Sequence, residues 1–214
     1  MEKEFELERV MLFSDAVFAI AITLLIIDIK FPEHLSTNSP FHLFLPTILG
    51  FAAFTLSFFF VGQFWSIHLR LFRMLRTYDA GLISRNLLFL FFIVTFPFTA
   101  SGLKFLWDGS IFPIYLYMFN IAFVTIAHLI LCRYIFYGKT KLAREGDTEE
   151  KKYLYILSRY NAISMTGSAL LILIISLAFP HRDDLIGYSC GLSGLLVVYG
   201  QKKAKKHKPA NIPS

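Results

Sequence analysis

Long apolar runs separated by short polar stretches set the pattern of this chain. Leu87 to Phe98, for example, is interrupted only by Thr95 and Pro97. Crossing about 30 Å of hydrocarbon takes roughly 20 apolar helical residues, and on that scale six candidate spans emerge at residues 10–29, 43–66, 82–104, 113–136, 157–179 and 185–200. The last is short and Gly-rich. Backbone groups in lipid must be satisfied within a helix or a closed barrel, and the alternating pattern of a barrel is missing. The expected fold is therefore all-α, a polytopic membrane protein in one six-helix unit over residues 1–200. The spans are joined by a Pro-containing connection at 31–40, a basic turn from His68 to Asp79, a short link at 107–113 and a polar stretch at 138–152. A Lys-rich tail, residues 201–214, reads as disordered.

Composition sharpens this reading. Of 214 residues, 56% are hydrophobic, 17% are charged and 24 are Phe, which excludes an ordinary water-soluble domain. Lys and Arg in short loops stay on the cytoplasmic side. With six crossings, all 21 basic residues except Lys30, Lys104 and Arg182 fall on one side. That asymmetry predicts both termini in the cytoplasm. The net charge of +6 is then mostly inside-facing basic residues and the tail, so no nucleic acid is needed as a partner and anionic lipid suffices. The acidic stretch Met1 to Glu8 lacks the basic start of a signal peptide, and Asp28 and Lys30 stand where a cleavage site would want small residues. The first run reads as a retained span. Cys132 and Cys190 lie in apolar context, which argues against a disulfide or a metal pair.

Polar residues inside the apolar runs are the candidates for chemistry. Asp15 lies about two helical turns from the cytoplasmic end of the first span, where an ionised carboxylate is costly unless paired or wet. It reads either as an ion-contacting group or as a polar clasp, with Ser14 and Arg9 nearby. On the same helix Ile20, Leu24 and Ile27 follow i, i+4, i+7 spacing, with Thr23 on their flank. Such a stripe serves plain core packing or, around a symmetry axis, stacked aliphatic rings that gate by excluding water. Residue pattern alone permits both. Trp65, His68 and Phe72 share one face at the end of the second span. His68 is either a partner for Asp15 and Ser14 at matching depth or a satisfied histidine in an aromatic belt. Asn86 and Pro97 add a buried amide and a kink to the third span. A faint internal echo, Ser84-Arg85-Asn86 against Ser158-Arg159-Tyr160-Asn161, opens two spans from the same side.

Enzyme signatures are missing: no His-Glu-x-x-His, Walker glycine loop, Cys-x-x-Cys or Gly-x-Ser-x-Gly, and no cofactor is implied. The Thr-Val-Gly-Tyr-Gly filter of ordinary potassium channels is also missing. From the residues alone, a channel competes with a proton-coupled secondary transporter using Asp15 and His68 as a relay. A membrane enzyme using the same pair as acid and base lacks a nucleophile or metal cluster to join them.

Arg9-x-x-x-Phe13-Ser14-Asp15, followed by Ala-Val-Phe-Ala-Ile-Ala-Ile-Thr-Leu-Leu, resembles the signature of the transmembrane protein 175 family, the endosomal and lysosomal potassium channels and their prokaryotic relatives. Phe64-Trp65-x-x-His68-x-x-x-Phe72 and Asn86 through Pro97-Phe98 are similar to that family too. The likeness covers roughly the first hundred residues and is most specific in the first span. A single six-span unit resembles the prokaryotic members, which are homotetramers. The resemblance implies a potassium-permeable channel in the cell membrane whose central pore is lined by the first helix. By position, Ile20 would form the main constriction, Leu24 and Ile27 further rings, and Thr23 would add hydroxyls. Arg9, Phe13, Ser14 and Asp15, with Trp65, His68 and Asn86, would support the pore helix.

Overall fold

The computed structural model describes residues 2–27, 29–31, 41–108, 111–138, 141–144, 148–179, 194–195 and 198–205. The chain folds into helices α1 (Glu2–Leu24), α2 (Leu45–Arg73), α3 (Ala80–Val94), α4 (Phe96–Ser101), α5 (Phe112–Tyr137) and α6 (Thr148–Ala178). Short 3-10 turns at Phe41–Phe44 and Gly102–Asp108 lead into α2 and out of α4. Among the described residues there is no strand, only an isolated bridge between Leu75 and Ala143, closed by Arg76 N–H to Leu142 O and Arg144 N–H to Met74 O, both 2.8 Å.

Within the described residues, 4 helical stretches are long and apolar enough to cross a bilayer: Leu45–Arg73, Ala80–Leu106, Phe112–Tyr137 and Thr148–Ala178. They coincide with the second to fifth expected spans. The first expected span differs. Glu2, Lys3, Glu4, Glu6, Glu8 and Arg9 crowd the first turns of α1, and the helix stops at Leu24, with residues 25–27 in a turn. Its apolar part, residues 10–24, rises only about 22 Å at 1.5 Å per residue. The expected sixth span, residues 185–200, lies mostly outside the described residues, as does Cys190.

Boundaries moved for local reasons. The expected basic turn from His68 is still helix, because α2 runs on to Arg73 with Arg70 and Arg73 in its last turn. Cations there favour the negative end of the helix dipole. α6 likewise begins at Thr148, nine-odd residues ahead of the expected 157, with Glu149 and Glu150 in its first turn at the positive end. α3 starts sharply because Asp79 is its N-cap, accepting from Leu82 N–H at 2.7 Å. The other Asp79 oxygen accepts from Tyr134 Oη at 2.7 Å, and Arg85 lies 3.9 Å over the Tyr134 ring. Gly81 makes this possible, since a Cβ there would collide with the Tyr134 ring. Pro97 breaks the third span as expected, separating α3 from α4 at Thr95.

The start of the tail is also ordered. Residues 198–205 are helical, and Ala204 is fully buried against Met74, Tyr153 and Leu154. Gly200 permits the approach: a Cβ there would sit 3.2 Å from Tyr160 Cβ and 3.4 Å from Ser164 Oγ. Disorder was expected from lysine content, yet every basic residue described in this segment points outward and its small residues pack inward.

The core is aromatic. Phe89 is fully buried and its ring meets those of Phe18, Phe64, His68 and His128. Between membrane helices, packing of this kind replaces the hydrophobic drive available in water. Phe89→Ala should therefore cost about 3 kcal/mol or more, whereas Phe91→Ala, at an exposed position, should stay within about 0.5 kcal/mol. Thermal melting of the detergent-purified protein, read by loss of monodisperse protein, compares the two.

Candidate functional site

The polar residues of α1, α2 and α3 meet at one level. Ser14 is fully buried, and its hydroxyl donates to Val10 O at 2.9 Å. Having spent its proton, the Ser14 oxygen accepts from Asn86 Nδ2 at 2.9 Å. That contact turns the Asn86 carbonyl toward His68, whose Nε2 lies 2.8 Å from Oδ1. An amide oxygen only accepts, so His68 carries its proton on Nε2. The chain His68 to Asn86 to Ser14 to the α1 backbone is thus satisfied end to end, as a buried polar network has to be. Phe72 and Phe89 stack on the His68 ring at centroid distances of 4.1 and 5.5 Å, and Phe18 closes in at 5.6 Å.

Asp15 takes a separate partner. Trp65 Nε1 donates to its Oδ1 at 2.8 Å, and this contact is open to the surroundings where the His68 network is sealed. The expected direct bond of His68 to Asp15 or Ser14 is therefore not formed: Asn86 stands between His68 and Ser14, and Asp15 pairs with the Trp65 indole. Arg9 and Phe13 are exposed on α1 and line an open pocket of about 410 Å³ with Glu6 and Tyr78, which also reaches Asn86. The Tyr78 hydroxyl donates to the Glu6 carboxylate.

Opposite this network, α1 presents another face. Ser14, Phe18, Ala21 and Leu25 are buried, while Ile20, Leu24 and Ile27 are 57%, 42% and 68% exposed. Thr23 is exposed too, its hydroxyl donating to Ile20 O at 2.9 Å. Ile27 lies in the turn beyond the helix, so its helical spacing from Leu24 is not realised, though it stays on the open side.

Other buried polar contacts were not anticipated. Ser57 Oγ and Tyr117 Oη are hydrogen-bonded at 3.0 Å. Thr95 Oγ1 lies 2.8 Å from both Phe92 O and Asn120 Oδ1, while Asn120 Nδ2 donates to Thr99 Oγ1 at 3.3 Å, so the amide on α5 stitches the break before Pro97. His128 Nδ1 meets Ser158 Oγ at 2.7 Å with Cys132 Sγ 3.7 Å away. Asn120 and His128 each stand alone in an apolar run, which is the signal that would have found them. The echoing segments are used differently: Asn86 of one serves His68, and Ser158 of the other serves His128. Among the described residues, no group of three His, Cys, Asp or Glu side chains comes together.

With this geometry in view, comparison with known proteins points to one family. The family model for the endosomal/lysosomal potassium channel TMEM175 matches residues 9–97, the segment that supplies Arg9 through Asn86. Over that segment the chain is similar to the TMEM175 family. A potassium channel of Streptomyces collinus is 38% identical over 95 residues, 44% of this chain and 46% of that protein. One from Chryseobacterium is 28% identical over 156 residues, 70% of this chain and 77% of that protein. A third, from Chamaesiphon minutus, is 35% identical over 98 residues. The matched region spans about half the length of the Streptomyces and Chamaesiphon relatives, at 46% and 48%. The fold is shared with the crystal structure of a lysosomal potassium-selective channel TMEM175 homolog from Chamaesiphon minutus, at a TM-score of 0.70 and 24% identity, over 93% of this chain and 98% of that one. The matched model describes a potassium channel, and among the described residues four helical stretches are long and apolar enough to cross a membrane, as a multi-pass membrane protein requires.

The sealed and open contacts should respond differently to substitution. Asn86→Leu strands His68 Nε2, while the Ser14 hydroxyl keeps its bond to Val10 O, so it should cost about 1–3 kcal/mol. Trp65→Phe frees a carboxylate that reaches the surroundings and should cost about 1 kcal/mol. A double-mutant cycle of Ser14→Ala and Asn86→Ala, read by thermal melting, should be clearly less than additive; additive losses would separate the two residues.

Proposed function

We propose that this protein is a homotetrameric, potassium-permeable cation channel of the cell membrane, passing ions passively through a central pore lined by α1. In this reading the first and sixth segments also cross the bilayer, and both termini are cytoplasmic. The reading rests on the two faces of α1. One is bonded and packed into its own subunit through Ser14 and Phe18; the other leaves Ile20, Leu24 and Ile27 uncovered. An apolar stripe left uncovered by the described residues, on a helix anchored so firmly that its rotation is fixed, suits stacked rings around a symmetry axis. The names of the Streptomyces, Chryseobacterium and Chamaesiphon relatives supply the ion.

Ile20 is then the narrowest ring, with Leu24 and Ile27 further out. Aliphatic rings obstruct water, so an ion passing them loses part of its hydration, and potassium gives up water at lower cost than sodium. Thr23 lies one turn from Ile20, and its oxygen, donating its proton to the helix, keeps acceptor capacity toward the axis. Arg9, Phe13, Asp15, Trp65, His68 and Asn86 hold the helix and do not contact the ion.

The proton-coupled transporter loses ground on the same geometry. Asp15 and His68 have different partners, and the imidazole is enclosed by Phe18, Phe72 and Phe89. A relay would need them to exchange a proton across that enclosure.

Purified protein in planar bilayers under potassium and sodium bi-ionic conditions should give unitary current steps with a reversal potential favouring potassium. Ile20→Asn should raise the current and move the reversal potential toward zero. An unchanged reversal potential would remove Ile20 from the constriction, and saturable flux that requires a proton gradient would replace the channel by the transporter. Asp15→Asn and His68→Ala should lower tetramer yield on size-exclusion chromatography; tetramers of normal yield with lost permeation would make those residues ion contacts instead.

A further inference from the structure

At the basic end of the helices, α2, α6 and the helical segment 198–205 enclose a pocket of about 160 Å³ that the proposed pore does not use. Its polar lining is Gln63, Ser66, Arg70, Asn161, Gln201 and Lys205, set above the apolar side chains of Ile67 and Leu157. Among the described residues no acidic side chain lines it; Glu149 and Glu150, nearest along α6, are outside the lining. Among the described residues none of those six polar side chains has a hydrogen bond or ion pair of its own. Elsewhere on these helices Ser57 is paired with Tyr117 and Ser158 with His128, and Thr166 Oγ1 is the buried side-chain oxygen left without a partner among the described residues. Two cations and a set of uncommitted amide and hydroxyl donors, lining one space without a counter-charge among the described residues, form a receptor for an anion with several acceptor oxygens.

The depth narrows the chemistry. Trp65, then Arg70 and Arg73, mark where α2 leaves the apolar zone, the level at which indole and guanidinium groups meet lipid headgroups. The third wall is fixed in place by Ala204, buried against Met74, Tyr153 and Leu154, and by Lys203 over the Tyr160 ring at 5.5 Å. Lys205, exposed on this segment, lines the pocket together with Arg70. Basic pockets between membrane helices at this level take phosphorylated headgroups. We propose that this pocket receives a phosphate group, presented by an anionic phospholipid of the adjoining leaflet or free in solution. The uncommitted amides of Gln63, Asn161 and Gln201 bind its oxygens beside the two cations.

The test uses the full-length protein, exposed in detergent to phosphatidylglycerol or phosphatidylcholine and read by native mass spectrometry. Wild type should retain phosphatidylglycerol over phosphatidylcholine. Lys205→Gln, an exposed change that leaves packing alone, should weaken retention about fivefold, and Arg70→Gln with Lys205→Gln by roughly the square of that. Lys202→Gln, on the same segment but outside the lining, should match wild type. Displacement of phosphatidylglycerol by millimolar inorganic phosphate would support the site and make its source soluble; retention through that challenge would support it and make the source lipid. Equal retention of the two lipids by wild type, or equal losses in Lys202→Gln and Lys205→Gln, would overturn it.

Discussion

The architecture depends on Asn86. Its amide stands between the Ser14 hydroxyl and the His68 ring, and so ties α1 to α2 through α3 at a level where water is shut out. In such surroundings a polar side chain has no substitute partner, and each link dictates the proton direction of the next. The result is rotational. Apolar packing tolerates a helix that rolls by tens of degrees, but a hydroxyl bonded at 2.9 Å does not. Fixing Ser14 inward fixes Ile20 outward, because they are separated by about one and two-thirds turns of one helix.

Around that fixed point the aromatic core supplies shape. Phe18, Phe64, Phe72 and Phe89 surround His68 with rings, leaving the imidazole one polar exit toward Asn86. A second, independent fastening acts at the opposite part of the third span, where Asn120 gathers Thr95 and Thr99 around the break before Pro97. The two amides do comparable work: each lets a helix deviate or join without leaving a polar group stranded in an apolar medium.

Much of this was legible from residue order. Apolar run length identified the second to fifth spans, because hydrocarbon thickness leaves little freedom there. The isolated polar residues Ser14, Asp15, His68 and Asn86 announced themselves by their cost, and three of them do share one network. Which one bonds which was not legible, since helix rotation and side-chain reach are tertiary properties; Trp65 looked like an interfacial ring and proved to be the donor to Asp15. The helical start of the tail was hidden by its lysines, whose charge masks the small inward residues Gly200 and Ala204. The end of α1 was misjudged because Leu25, Ile26 and Ile27 continue the apolar pattern while the backbone has already turned.

That early end of α1 has a consequence for what lies beyond it. Past Leu24 the peptide groups are held by looser bonds, Ile27 N–H to Leu24 O at 3.3 Å and Ile29 N–H to Ile26 O at 3.2 Å, and Lys30 O is taken by the Thr47 hydroxyl at 2.8 Å. Carbonyls released from a helix cannot face acyl chains. Wherever this corner sits across the bilayer, it must border water or a protein wall, even though the side chains of Leu25, Ile26 and Ile27 would themselves be at home in hydrocarbon.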